Sequence, residues 1–114
     1  MSSALHTTDA NLALERAGGN RELARELYQM LQNDLPNYRA TIQRHFDSGD
    51  YDALLEVVHK LGGSATYCGV PAMKEAAKRL ETSLKKGEES QYAVGTTELV
   101  DEIERLLQTP EMGI

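Results

Sequence analysis

Apolar residues recur every three or four positions along most of this chain, the spacing of helices that bury one face. Five segments carry the pattern. The first starts at Asp9, a residue type that caps helix N-termini. It carries Leu12 and Leu14 and ends at Gly18-Gly19. Asn20 caps a long second segment whose inward side reads Leu23, Leu27, Met30, Leu31, Tyr38 and Ile42. Pro36 falls inside it and is expected to kink or divide it, because proline removes a helical N–H and crowds the preceding turn. Asp47-Ser48-Gly49-Asp50 reads as a turn, and a third segment follows from about Tyr51 to Tyr67. Gly69 ends it. Pro71 suits the first turn of a fourth segment, whose apolar side is Val70, Met73, Ala77, Leu80 and Leu84. Lys85-Lys86-Gly87 fits the end of that helix, with cations at the negative pole of its dipole. Residues 87–95 are polar and show no clear period. The last segment runs to about Gln108 with Leu99, Val100, Ile103, Leu106 and Leu107. Four such helices with short connections predict an all-α antiparallel four-helix bundle, with the first helix as an N-terminal cap. The domain is expected over 9–108, with 1–8 and 109–114 as flexible termini.

Composition narrows the function. A chain of 114 residues supports one core and one domain. A net charge of −6 excludes a nucleic-acid binder that rests on bulk positive charge. It also argues against an anionic membrane surface as the partner. No apolar run approaches the ~20 residues of a membrane span, and Met1-Ser2-Ser3-Ala4 lacks the charged and apolar regions of a signal peptide. The single Cys68 cannot form an internal disulfide, and it lies on an apolar stripe where a buried, unreactive thiol is expected. The expectation is a soluble, cytoplasmic domain. If it is a piece of a larger chain, that parent could be anchored in the inner membrane.

The third segment holds the candidate chemistry. At about 100° per residue, Leu54, Val57, Val58, Leu61, Ala65 and Cys68 fall in one core-facing arc roughly 120° wide. His59 lies about 140° from Leu54, clear of that arc, and Gly63 sits one turn later on the same outward face. Glycine within a helix costs about 1 kcal/mol relative to alanine, so the Gly62-Gly63 pair needs a reason. An exposed imidazole beside bare backbone supplies one, since a bulky partner can bring a reactive atom up to the ring. A free imidazole titrates near 6.5, so its neutral form is a nucleophile around neutral pH. The alternative for the pair is a helix break, against which the stripe continues through Cys68. Leu55 and Thr66 flank His59 on the wheel and belong to the rim where a partner would dock. His6 and His45 have no comparable surroundings and are expected to be inert.

The run His59-Lys60-Leu61-Gly62-Gly63-Ser64-Ala65, continuing through Tyr67-Cys68-Gly69-Val70-Pro71-Ala72-Met73-Lys74, resembles the histidine-containing phosphotransfer (HPt) family. It is most similar to the C-terminal module of hybrid sensor kinases of the BarA/GacS type. The resemblance implies that His59 is a phosphoacceptor and that Glu81, 22 residues on, accepts a hydrogen bond from its Nδ1. From residues alone, Glu81 is a helix-surface partner for Lys85 at i+4. One departure stands out: where the family has a basic residue three after the histidine, this chain has Gly62. Charge on a transferred phosphoryl group would then be offset by Lys60 or by Lys74, Lys78 and Lys85, which share one side of the fourth helix. Partner docking is expected at Leu55, Gly62, Thr66, Lys74 and Lys78.

The implied function is a monomeric phosphocarrier between receiver-domain aspartates, not an enzyme with its own ATP site. It needs no cofactor, Mg²⁺ being supplied by the partner receiver, and the chain has neither a Walker-type loop nor a clustered metal-ligand set. Two readings compete. A catalytic histidine kinase would carry an acidic residue after the histidine and a proline five later, positions held here by Lys60 and Ser64. A phosphorylation-independent helical adaptor would give the glycine pair no purpose.

Overall fold

Side-chain caps set where the first three helices begin. In this computed structural model, which describes residues 5–114, the Oδ1 atoms of Asp9, Asn20 and Asp50 accept from the backbone N–H groups of Leu12, Leu23 and Ala53 at 3.0, 3.0 and 3.2 Å. Each cap satisfies an N–H that has no partner inside its helix. The helices α1 (Ala10–Arg16), α2 (Arg21–Ser48) and α3 (Tyr51–Ala65) follow directly. Pro71 opens α4 (Pro71–Lys86), and a single 3₁₀ turn at Glu89–Gln91 leads into α5 (Tyr92–Leu107). No strand occurs among the described residues.

Each long helix packs on the next, and α5 closes back onto α2, which makes a four-helix bundle with α1 laid against α2 at one end. At about 1.5 Å per residue, α2 spans the full 40 Å length of the molecule. The core is a continuous set of buried residues from all four long helices, including Leu35, Ile42, Leu54, Val58, Leu61, Met73, Leu80, Leu99, Ile103 and Leu106. It is the all-α architecture expected from the periodicity.

Several local expectations change. Pro36 does not divide α2, which runs unbroken through it. The proline stands on the exposed side of α2, and the helix continues past it without the one N–H that it lacks. Leu23 and Met30 are not in the core but 39% and 62% exposed, while Ala24, Tyr28 and Leu35 face inward instead. In α1 the buried residue is Ala13, joined by Ala17 just past its end, with Leu12 and Leu14 half-buried. The polar stretch 87–95 already contains the first turn of α5, where Gly95 lets α5 approach Leu80 of α4 closely.

Both ends of the domain are tied to it. Ala72 N–H donates to His6 O at 3.1 Å, and Asp9 N–H donates to Gly69 O at 2.8 Å. Residues 1–4, part of the expected flexible 1–8, lie outside the described residues. Beyond α5, Gln32 Nε2 donates to the carbonyls of Leu106 and Thr109 at 2.6 and 3.1 Å, and Tyr28 donates its hydroxyl to Thr109 O. These α2 side chains satisfy orphan carbonyls at the end of α5. Arg25 Nε donates to Ile114 O at 3.0 Å, and Met112 packs on the core. Residues 109–114 therefore run back along α2.

Candidate functional site

The α3 stripe buries Leu54, Val58, Leu61 and Ala65 and turns His59 outward, with 73% of its side chain exposed. The ring leans toward α4. Its Nδ1 lies 2.6 Å from Glu81 Oε2, and Lys85 Nζ reaches the same oxygen at 3.0 Å. Burial leaves only 19% of the Glu81 side chain exposed and works against its charge. Hydrogen bonds from Lys85 and His59, with the positive charge of Lys85, outweigh that burial and hold the carboxyl below the usual carboxylate range. An ionised carboxylate only accepts, so the ring nitrogen facing it must carry the proton. Nδ1–H thus donates to Glu81, and Nε2 of the neutral ring keeps its lone pair pointed at solvent. The arrangement can deliver a nucleophile to an incoming electrophile.

Gly63 is exposed one turn beyond His59, and a Cβ built there would touch nothing within 4 Å. Gly62 differs: it is half-buried, and its Cβ would meet Ala77 of α4 at 3.8 Å. Gly62 therefore belongs to the α3–α4 contact, while Gly63 leaves the ground beside the imidazole open. Gly63→Gln is expected to keep or slightly raise thermal stability, since it removes an exposed helical glycine. The same change should block a bulky partner's approach to the ring and slow group transfer to it about tenfold or more. Circular dichroism melts and a transfer assay check both, and an unaltered transfer rate would contradict the open-ground argument.

The remaining expected site residues divide into two flanks. On the α4 side, Thr66 donates its hydroxyl to Gly62 O at 3.0 Å and shares a cavity of about 260 Å³ with Lys74, Lys78 and Arg16. On the α2 side, Lys60 lines a shallow groove with His45, Glu56 and Val57, away from the His59–Glu81 pair. Leu55 is not an exposed rim residue, being half-buried and packed on the core. Cys68 is buried, its Sγ within reach of the Leu27 and Ser64 carbonyls, and burial pushes the thiol up to about 11. It is inert at neutral pH.

One feature was not expected. Leu23, Leu27 and Met30 of α2 form an apolar groove of about 350 Å³ with Ser64 and Tyr67 of the α3 end. Met30 and Tyr67 are 62% and 56% exposed. The sequence signal was present in the i, i+4, i+7 spacing of Leu23, Leu27 and Met30, but it reads equally as a core face. Among the described residues no group of three or more His, Cys, Asp or Glu could hold a metal ion, and no helix is long and apolar enough to cross a membrane.

A family model described as the Hpt domain matches residues 26–109. The chain belongs to the Hpt family. The signal transduction histidine-protein kinase BarA of Escherichia coli is 36% identical to this Hpt domain over 101 residues, 88% of the chain and 11% of the kinase. The sensor histidine kinase GacS of Pseudomonas protegens is 36% identical over 89 residues, 78% of the chain and 10% of the kinase. The chain thus spans about a tenth of the length of these curated relatives. A crystal structure of the HPT domain of a hybrid sensor histidine kinase from Shewanella superposes with a TM-score of 0.85 at 31% identity, covering 92% of this chain and 91% of that one. Membership makes this Hpt domain a phosphotransfer module of the phosphorelay type, and the likeness read around His59 extends over nearly the whole bundle.

Proposed function

We propose that His59 is the phosphoacceptor, taking a phosphoryl group from a receiver-domain aspartate and passing it to the aspartate of a response regulator. One observation carries this reading: an exposed ring whose Nδ1 is held by an ionised carboxylate, leaving Nε2 free. In transfer to the domain, the Nε2 lone pair attacks the phosphorus of an aspartyl phosphate. A P–N bond forms as the acyl P–O bond breaks, and the aspartate carboxylate leaves with the electron pair. The Nδ1 proton stays on the ring, whose new positive charge is offset by Glu81. Onward transfer is the reverse process at a second receiver. Binding and alignment, rather than proton transfer, are the chief contributions of the protein.

The receiver docks over His59 and Gly63, between the apolar Leu23–Met30–Tyr67 groove on one flank and the cations Lys74 and Lys78 on the other. Apolar contact supplies area there, and the cations meet the acidic pocket that surrounds a receiver's phosphorylated aspartate. Mg²⁺ belongs to that partner. The domain acts as a monomeric, stoichiometric carrier without its own ATP site, on the cytoplasmic side of whatever parent chain it serves.

Incubation with a phosphorylated receiver and Mg²⁺ tests the proposal. Acid-labile phosphate should pass to this chain from at least one receiver and be withdrawn by a second, while ATP alone leaves it unlabelled. A folded chain that takes no label across a panel of receivers would point to an adaptor, and self-labelling from ATP would point to a kinase.

A further inference from the structure

Two donors converge on one oxygen at this site, His59 Nδ1 at 2.6 Å and Lys85 Nζ at 3.0 Å, both on Glu81 Oε2. A carboxylate facing a histidine alone favours the imidazolium, which has no free lone pair and is not a nucleophile. A carboxylate whose charge is shared with an ammonium favours it less. We propose that Lys85 is a positioning residue that attenuates the charge Glu81 presents to His59, and so widens toward lower pH the range in which the ring can accept a phosphoryl group. The inference rests on His59 being the phosphoacceptor.

Other charged side chains near the pair line other surfaces or have partners of their own among the described residues. On α3, Glu56 and Lys60 face the α2 side, where they share a groove with His45. On α4, Lys78 and Lys74 turn to the cavity beside Thr66. The half-buried and buried acids of α5 are already paired, Glu98 with Arg79 at 3.2 Å, Glu104 with Arg39 at 3.1 Å and Glu102 with Arg105 at 2.6 Å. Lys85 also stands in the last turn of α4, where any cation gains from the helix dipole. That purely structural role predicts a different result, which the test separates.

The test follows the His59 ring nitrogens by NMR through a pH titration, alongside transfer from a phosphorylated receiver. In Lys85→Met the ring titration should move to higher pH. Transfer at about pH 6.5 should fall roughly threefold and recover toward the parent rate at about pH 8.5. Lys85→Arg should restore both. In a Glu81→Gln background the ammonium loses the carboxylate that holds it beside the ring, so removing Lys85 should move the ring titration clearly less than it does in the parent chain. An unmoved titration, or a loss of transfer equal at every pH, would overturn the proposal. If His59 takes no phosphoryl group at all, the carrier reading fails, but the titration still reports separately on Lys85.

Discussion

Replacing His59 with Gln is expected to reduce phosphoryl acceptance to background, a loss of at least about 10³-fold, because the nucleophile itself is removed. The fold should survive. The ring is largely exposed and makes one polar contact, to Glu81. Glu81 keeps Lys85 as a partner when the ring is lost, so the loss of the pair should cost about 1 kcal/mol or less. A near-parental melting temperature combined with abolished labelling is therefore the expected signature. Label that persists in the variant would move the acceptor elsewhere, with His6 and His45 the other histidines of the chain.

The largest effect on stability is expected at Gly69. Its φ is +68°, and a Cβ there would stand 2.6 Å from both Ala13 Cβ and Asp9 O, and 2.9 Å from Ala13 N. The α3–α4 loop is pressed against the start of α1, and two of the three opposing atoms are backbone that cannot swing away. Gly69→Ala combines left-handed strain of about 1–2 kcal/mol with overpacking of about 1–3 kcal/mol. A melting temperature lower by roughly 10–20 °C follows for a domain of this size. Gly87→Ala is the control: φ is +70° but nothing lies within 4 Å of its Cβ, so only the strain should register. Equal losses at the two positions would refute the close packing of α1 on the loop.

What the sequence made legible follows from which signals are local. The caps at Asp9 and Asn20 and the outward direction of His59 depend on residues within a turn or two, and they were readable. The inward face of α2 was not. Two apolar stripes lie side by side there, Ala24–Tyr28–Leu31–Leu35 and Leu23–Leu27–Met30, and periodicity alone does not say which one the other helices cover. The uncovered stripe became the groove beside the site. The start of α5 was hidden by Gly95, Thr96 and Thr97, poor helix formers whose cost is offset by tertiary packing on Leu80. Pro36 likewise looked like a break because its exposure is a property of the assembled bundle. At the site, Glu81 came from the family resemblance rather than from any period. Lys85 was visible as an i+4 neighbour of Glu81, but that it and the imidazole share a single oxygen is a fact only of the folded chain.

The account stands most directly on which nitrogen becomes phosphorylated. After transfer from a phosphorylated receiver, ring-nitrogen NMR of this chain should show a single phosphohistidine at position 59, with phosphorus on Nε2 and the proton retained on Nδ1. Phosphorus on Nδ1, or on any other residue, would contradict it.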